Sequence, residues 1–295
     1  VSSDSNTGIP NMCVTYWTQA KSKDILEFRA EGEENWREIP QISKSPSQSH
    51  AFLLENLTPD TTYSYRIKGS GSKEYTFTTM PGTDDTLHFG FSSDSHFGRK
   101  MSDGFLNRMI DSIDERDLDL FLLAGDITDM GFDDSHWKVA MDSLSPLTSN
   151  LPFRPIMGNH DGFCGGEKKY VEYFYPESIP TSSGSRIYHN FSVNNVNFFM
   201  LNLEWSMEMY ERKDNDNPLF DSQKDWLENT LPKIKKNDWT IVTFHCDVFA
   251  DGDIRSELLD ELQPMFVEND VDAVLSGHDH QFGFKNQSGV VYMLG

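Results

Sequence analysis

Five short runs carry side chains suited to holding metal ions. They are Asp94-Ser95-His96, Gly125-Asp126-Ile127-Thr128-Asp129, Gly158-Asn159-His160-Asp161, His245, and Gly277-His278-Asp279-His280. With His160, Asp129, Asp161 and Asp279 set aside, they supply two aspartates, one asparagine and four histidines. Imidazole suits Zn and Fe, while carboxylate and amide oxygens suit Mn and Fe, so this is a donor set for a pair of di- or trivalent cations. An Asp has two anionic oxygens and can bridge such a pair. Two cations about 3.5–4 Å apart can clamp an in-line displacement at phosphorus, turn a bound water into a hydroxide nucleophile and neutralise the phosphoryl oxygens. The glycines before Asp126, Asn159 and His278 are expected to allow sharp turns that aim the next side chain inward. Taken singly, a D-x-H or a G-D pair is an ordinary turn or helix cap. Five runs in series, each following an apolar strand pattern, point to one site.

These runs need a scaffold that brings them together. From residue 87 onward, strand and helix patterns alternate. Strands are expected over 87–92, 118–124, 154–157, 195–203, 240–245 and 271–276, and helices over 103–116, 136–144, 221–231 and 255–268. Alternation of this kind, with continuous apolar strands, predicts an α/β domain whose ligands bind at the carboxyl ends of the strands. The first ~80 residues differ, with short β-rich runs over 13–18, 25–30, 50–54, 62–68 and 75–79 separated by turn residues, which predicts a small all-β sandwich. Tyr63 and Tyr65 should share one face of their strand. Met80-Pro81-Gly82-Thr83-Asp84-Asp85 reads as the linker, giving domains over 1–80 and 86–295.

The series D-x-H, GD-x-x-D, GNHD, H, GHxH resembles the calcineurin-like metallophosphoesterase superfamily. The Leu57–Tyr65 turn and strand, and Tyr75–Thr79 ahead of the D-x-H strand, resemble the fibronectin-like domain of purple acid phosphatases; Gln223–Leu227 is similar to that family as well. The resemblance covers nearly the whole chain. It implies a four-layer α/β (α+β) metallophosphoesterase sandwich behind a fibronectin type III-like β-sandwich. It also implies two metal ions (Fe, Zn or Mn), one held by Asp94, His96, Asp126 and His280, the other by the bridging Asp126 with Asn159, His245 and His278. His160 matches the histidine that contacts phosphate or leaving group. Read from the residues alone, Asp161 is a candidate either to orient His160 by a hydrogen bond or to serve as a turn residue. The activity implied is hydrolysis of phosphate monoesters by a metal-bound hydroxide. The alternative is a phosphodiesterase using the same site, and a reading from another class is a non-catalytic binding module. A secreted or periplasmic location is also implied, although the chain carries no signal peptide.

Two departures from the purple enzymes stand out. Asp129 occupies the place of their iron-binding tyrosine, so no tyrosinate-to-iron colour is expected. The run Cys246–Asp251 lacks their additional histidine, which leaves His160 as the candidate acid. The family usually continues with a further strand and loops beyond the last residues here, so a truncated C-terminus is expected.

The 295 residues carry 25 basic and 47 acidic side chains, a formal net charge of −22. Such a chain gains nothing from counterion release on a polyanion, so nucleic acid polymers and anionic membranes are poor partners, whereas a small phosphate ester bound by metals is allowed. No apolar run is long enough to span a membrane. Three cysteines cannot build a disulfide framework; Cys164 and Cys246 lie in loops expected near one site, either as a pair or, more simply, as two thiols. His50, His88, His136 and His189 read as surface or hydrogen-bonded core residues. Asp129 and Asp279 read as supporting or solvated groups, and Trp205–Pro218 as a rim loop.

Overall fold

The computed structural model describes the chain except residues 1, 4–9, 70, 72, 83, 84, 101–109, 111, 112, 114–117, 177, 178, 180, 204–217 and 247–253. Most of the helix expected over 103–116, and nearly all of the loop expected over 205–218, lie outside the described residues.

The strands are β1 (Ser2–Ser3), β2 (Pro10–Ser22), β3 (Ile25–Ala30), β4 (Arg37–Pro40), β5 (Ser47–Leu54), β6 (Thr62–Ile67), β7 (Tyr75–Thr78), β8 (Phe89–Ser92), β9 (Leu120–Ala124), β10 (Phe153–Ile156), β11 (His189–Val193), β12 (Val196–Met200), β13 (Trp239–Thr243), β14 (Ala273–Ser276), β15 (Gly283–Gln287) and β16 (Val290–Leu294). The α-helices used below are α1 (Asp134–Thr148), α2 (Asn159–Gly162), α3 (Glu167–Phe174), α4 (Pro218–Thr230) and α5 (Ile254–Glu268).

In the first part of the chain the sheet β4-β3-β6-β7 packs against β2 and β5. Alternation on β6 buries Tyr63 and Tyr65, with Tyr63 stacked on Phe77 and Tyr65 on Tyr75. Strand β4 escapes the propensity pattern: Arg37-Glu38-Ile39-Pro40 is polar and ends in proline, which only an edge strand tolerates.

The remainder is two sheets with helices outside them. One is the parallel sheet β10-β9-β8. The other runs β15-β16-β14-β13-β12-β11 and continues through β1 into β2 and β5, with β12, β13, β14 and β16 parallel. Every residue of β9 is buried because both its faces are covered. Leu120, Leu122 and Ala124 pack with Phe191, Phe198, Met200 and Ile241 between the sheets. Phe121 and Leu123 point the other way, onto Trp137, Ala140 and Leu144 of α1 and Tyr170 of α3. On the far side, Phe199, Val242 and Val274 meet Leu227 of α4 and Leu262 and Phe266 of α5. The result is the four-layer α/β/β/α arrangement. The turn Ser288-Gly289, with both residues at positive φ (55° and 92°), closes the hairpin β15–β16, which the strand patterns did not anticipate.

The β-sandwich is fastened to the α/β unit by polar as well as apolar contacts. The Tyr65 hydroxyl donates to Ser149 O at 2.7 Å, Thr76 N–H donates to Asn150 Oδ1 at 3.3 Å, and Asn194 Nδ2 donates to Pro81 O and Gly82 O. Trp17 lies against Tyr173.

Of the histidines outside the motifs, His50 is a partnered core residue, with Gln41 Oε1 at 3.0 Å and Thr18 Oγ1 at 2.9 Å. His189 departs from expectation. It is 5% exposed, and neither ring nitrogen has a hydrogen-bond partner. Burial, together with the Arg154 charge, pulls its imidazole down to about 3. The folded protein thus keeps His189 neutral where an unfolded histidine, with a pKa near 6.5, takes up a proton. Its contribution is complete above about pH 6.5 and is lost as pH falls toward 3, at up to about 1.4 kcal/mol per pH unit. Denaturant unfolding at pH 7, 6 and 5 should therefore show a shallower loss of stability in His189→Phe than in the parent, and equal slopes would contradict this account.

Candidate metal centre

All five motifs lie at the carboxyl ends of parallel strands. Asp94 and His96 follow β8, Asp126 follows β9, and Asn159 and His160 follow β10 and open α2. His245 follows β13, and His278 and His280 follow β14. The chain turns sharply after β8, β9 and β14. Asp94, His96, Asp126, His278 and His280 all have positive φ, between 44° and 82°, a region that non-glycine residues rarely occupy.

The glycines serve two different purposes. Gly125 does supply a left-handed turn (φ 85°). Gly158 does not: its backbone is extended, and glycine is needed there because a Cβ would sit 2.2 Å from Asp126 Oδ1. Gly277 is likewise a matter of space, since a Cβ there would lie 2.6 Å from Asp94 Oδ2.

Three sets of donor atoms converge closely enough to hold a cation: Asp94, His96 and His280; Asp126, His245 and His278; and His96, Asp126 and His160. His280 Nε2 lies 3.4 Å from Asp94 Oδ1 and 2.9 Å from His96 Nε2. His245 Nε2 is 3.2 Å from Asp126 Oδ2, and His278 Nδ1 is 3.0 Å from Asn159 Oδ1. Asp126 joins two of the sets, with its Oδ2 also 3.6 Å from His96 Nε2. Asp126, His96 and His245 are buried, whereas the His280 side chain is half exposed.

Burial alone would raise the Asp126 carboxyl, but the charge and hydrogen bond of His245, with His160 and His96 nearby, hold it below the usual carboxylate range. Burial pulls the His96 imidazole down, against the attraction of Asp126 and Asp94. Asp94 Oδ1 and His96 Nδ1 are buried without hydrogen-bond partners. The orphaned Asp94 oxygen, crowded among imidazole nitrogens, fits cations, which would satisfy several lone pairs at once.

The supporting contacts fix ring orientations. His245 Nδ1 donates to Ala124 O at 2.7 Å, which turns Nε2 toward Asp126. His160 Nδ1 donates to Asp129 O at 2.7 Å, and its ring packs edge-on against His96 at 4.5 Å. Asp129 Oδ1 stands 3.4 Å from His96 Nδ1.

Asp161 takes the structural one of its two expected roles. Its carboxylate does not orient the His160 ring; it accepts from the N–H groups of Ile127, Thr128 and Gly158 and from the Thr128 hydroxyl. Burial and the Asp126 charge raise its carboxyl, and those backbone N–H groups pull the other way. It ties the loop after β9 to the loop after β10, a role the sequence signals only by placing an acid next to GNH. No disulfide joins Cys164, which is exposed, to Cys246, which is buried.

Comparisons with known proteins agree with this architecture. Residues 87–282 match the calcineurin-like phosphoesterase family, and residues 5–79 match the purple acid phosphatase N-terminal domain. The chain therefore belongs to the calcineurin-like phosphoesterase family. It is 25% identical over 250 residues to purple acid phosphatase 18 of Arabidopsis thaliana, covering 79% of this chain and 52% of that protein. It is 27% identical over 248 residues to purple acid phosphatase 21 of the same plant, with the same coverage. The chain thus spans about half the length of these curated relatives. A purple acid phosphatase from yellow lupin seeds shares the fold with a TM-score of 0.75 at 16% identity, over 97% of this chain and 62% of that one.

The tight packing at Gly158 gives a direct test of the geometry. In Gly158→Ala the added methyl should displace the Asp126 carboxylate and weaken metal binding about 10–100-fold, the usual range for a change just outside the ligands. Metal titration of the folded variant reads this directly; unchanged affinity would mean that the spacing around Asp126 is not limiting.

Proposed function

We propose that the chain is a metal-dependent hydrolase of small phosphate monoesters, with residues 1–80 and 86–295 as its two domains. The observation that carries this reading is the convergence of Asp94, His96 and His280 with Asp126, His245 and His278 from separate strand ends, in a chain of the calcineurin-like phosphoesterase family.

In this reading Asp94, His96, Asp126 and His280 hold one cation, and Asp126, Asn159, His245 and His278 hold the second. Bound there, Fe, Zn or Mn would acidify a water and neutralise charge on the phosphoryl oxygens. The other roles fall to the chain itself. Asp126 Oδ1 accepts the His160 backbone N–H at 2.8 Å, so the bridging acid and the candidate proton donor are positioned as one piece. Asp129 O fixes His160 through Nδ1, leaving Nε2 to carry a proton to the leaving oxygen. Asp161 acts through the backbone, by holding the loops that bear Asp126 and Asn159.

Elemental analysis of the purified protein, alongside hydrolysis of p-nitrophenyl phosphate and bis-p-nitrophenyl phosphate across pH, tests the reading. About two metals per chain and preference for the monoester are expected. Preference for the diester would move the substrate class to phosphodiesters, and less than one metal with no hydrolysis of either would favour a binding module.

Two further outcomes are specific to this sequence. His160→Ala should retain its metals and lose at least about 10²-fold in kcat, the lower end for a proton donor; an unchanged kcat would remove His160 from the chemistry. With Asp129 beside His96, the iron-loaded protein should lack a strong visible tyrosinate band, and its absorbance spectrum checks this.

A further inference from the structure

The seam between the β-sandwich and the α/β unit holds a cavity of about 280 Å3, lined among others by Cys13, Arg154, Tyr175, Thr181, His189 and Phe191. It contains none of the candidate metal ligands. Cys13, Arg154 and Tyr175 also line a larger neighbouring cleft of about 960 Å3 between the two units. Junctions of this kind are frequent ligand sites.

Two features of the lining are unusual for this chain. Arg29, Arg37 and Arg66 each pair with a glutamate. Arg154 has no ion pair with a carboxylate among the described residues, its Nε is buried without a hydrogen-bond partner, and its guanidinium lies 4.7 Å over the Phe191 ring. A protein of net charge −22 thus leaves a buried guanidinium nitrogen unanswered. His189, beside it, is more than nine-tenths buried with both ring nitrogens unpartnered, although it lines the same cavity. The charge of Arg154 reaches Cys13, Tyr175 and His189, and the Tyr175 hydroxyl takes a side-chain hydrogen bond from the guanidinium, so it is the Nε that stays unanswered. Other polar groups of the lining are already engaged: the Thr181 hydroxyl donates to Ser185 O, that of Ser182 to Asn190 O, and that of Tyr175 to Pro155 O. Glu55 also lines the cavity but is exposed and makes no ion pair with Arg154.

We infer that this cavity is a second ligand site, for a small carboxylate or phosphate anion held by Arg154 and His189. A guanidinium presents two parallel N–H donors that match either oxyanion, and a neutral imidazole adds one donor. Phe191, Leu53 and Ile179 give the remaining wall an apolar surface, which suits a short organic acid or ester as well as the bare ion. The inference is independent of the metal centre, because the two sites share no residue.

The test reads His189 directly. In the zinc-loaded full chain with 13C-labelled histidine, the His189 ring signal is assigned as the one missing from His189→Phe. It is followed by NMR during titration with inorganic phosphate and, separately, succinate, against sodium chloride at matched ionic strength. A saturable shift with either anion is expected, and the more effective anion identifies the ligand class. Arg154→Met should weaken that binding at least tenfold while hydrolysis of p-nitrophenyl phosphate stays within twofold of the parent. Arg154→Lys, which retains the cation without the fork, should weaken it at least threefold and serves if the Met variant does not fold. No shift with either anion, or undiminished binding in the folded variant, would overturn the site. Hydrolysis measured on the same samples separates that failure from any failure of the proposed activity.

Discussion

The Asp126 carboxylate is the point on which the site turns. It is almost fully buried, faces His96 and His245 through one oxygen, and accepts the His160 N–H through the other. Desolvation opposes its charge, so the surroundings must supply positive potential or donors. The chain provides some through imidazoles and a backbone N–H, but Asp94 Oδ1 nearby has no donor, and Asp161 brings a third carboxylate into the same region. Cations are the economical answer to so many lone pairs in so little space. That demand explains why the loops are held so tightly: a single methyl at Gly158 or Gly277 would collide with one of the carboxylates.

Holding the loops has a conformational cost. Five of the motif residues sit in left-handed backbone, and strain of this type is of order 1–3 kcal/mol per residue where the conformation is sparsely populated. Two of the strands that precede them are covered on both faces, β9 end to end and β14 nearly so, whereas β8 is only partly buried. The Asp161 carboxylate adds a local brace by joining Ile127, Thr128 and Gly158. Packing two layers away therefore reaches the chemistry through the backbone, and the tilt of an imidazole depends on a sheet register set by residues such as Leu122 and Val242.

Much of this was legible in the sequence because the motif residues announce themselves by type and by position after apolar runs. Asp94, His96, Asp126, Asn159, His245, His278 and His280 could be picked out without coordinates, as could the β-rich segment before Met80. What escaped was everything whose cause is packing rather than local pattern. The strand β4 is polar, and its existence depends on β3 beside it. Gly158 looks like a turn glycine but is extended, its purpose visible only once Asp126 is placed. Asp161 sits next to His160 in sequence, yet its carboxylate faces backbone N–H groups of residues more than thirty positions earlier. His189 read as an ordinary core residue; that its ring nitrogens find no partner depends on Arg154, Tyr175 and Cys13, which no sequence window brings together.

The acidity of the chain ties the two sites into one electrostatic problem. A net charge of −22 disfavours any anion approaching from a distance, so each anion site must reverse the field locally. The metal centre would do so with cations gathered by a few carboxylates and imidazoles, at short range and inside a largely buried pocket where screening is weak. At the domain seam the same reversal is attempted with a single guanidinium, which makes no carboxylate ion pair among the described residues and lies over an aromatic ring. A fixed cation on β10 needs no loading step, while a cation pair would be held only when the loops after β8, β9, β10, β13 and β14 are in place. The two devices thus differ in what they require of the fold: the seam site depends on how two units meet, and the metal centre on how five strand ends are aligned.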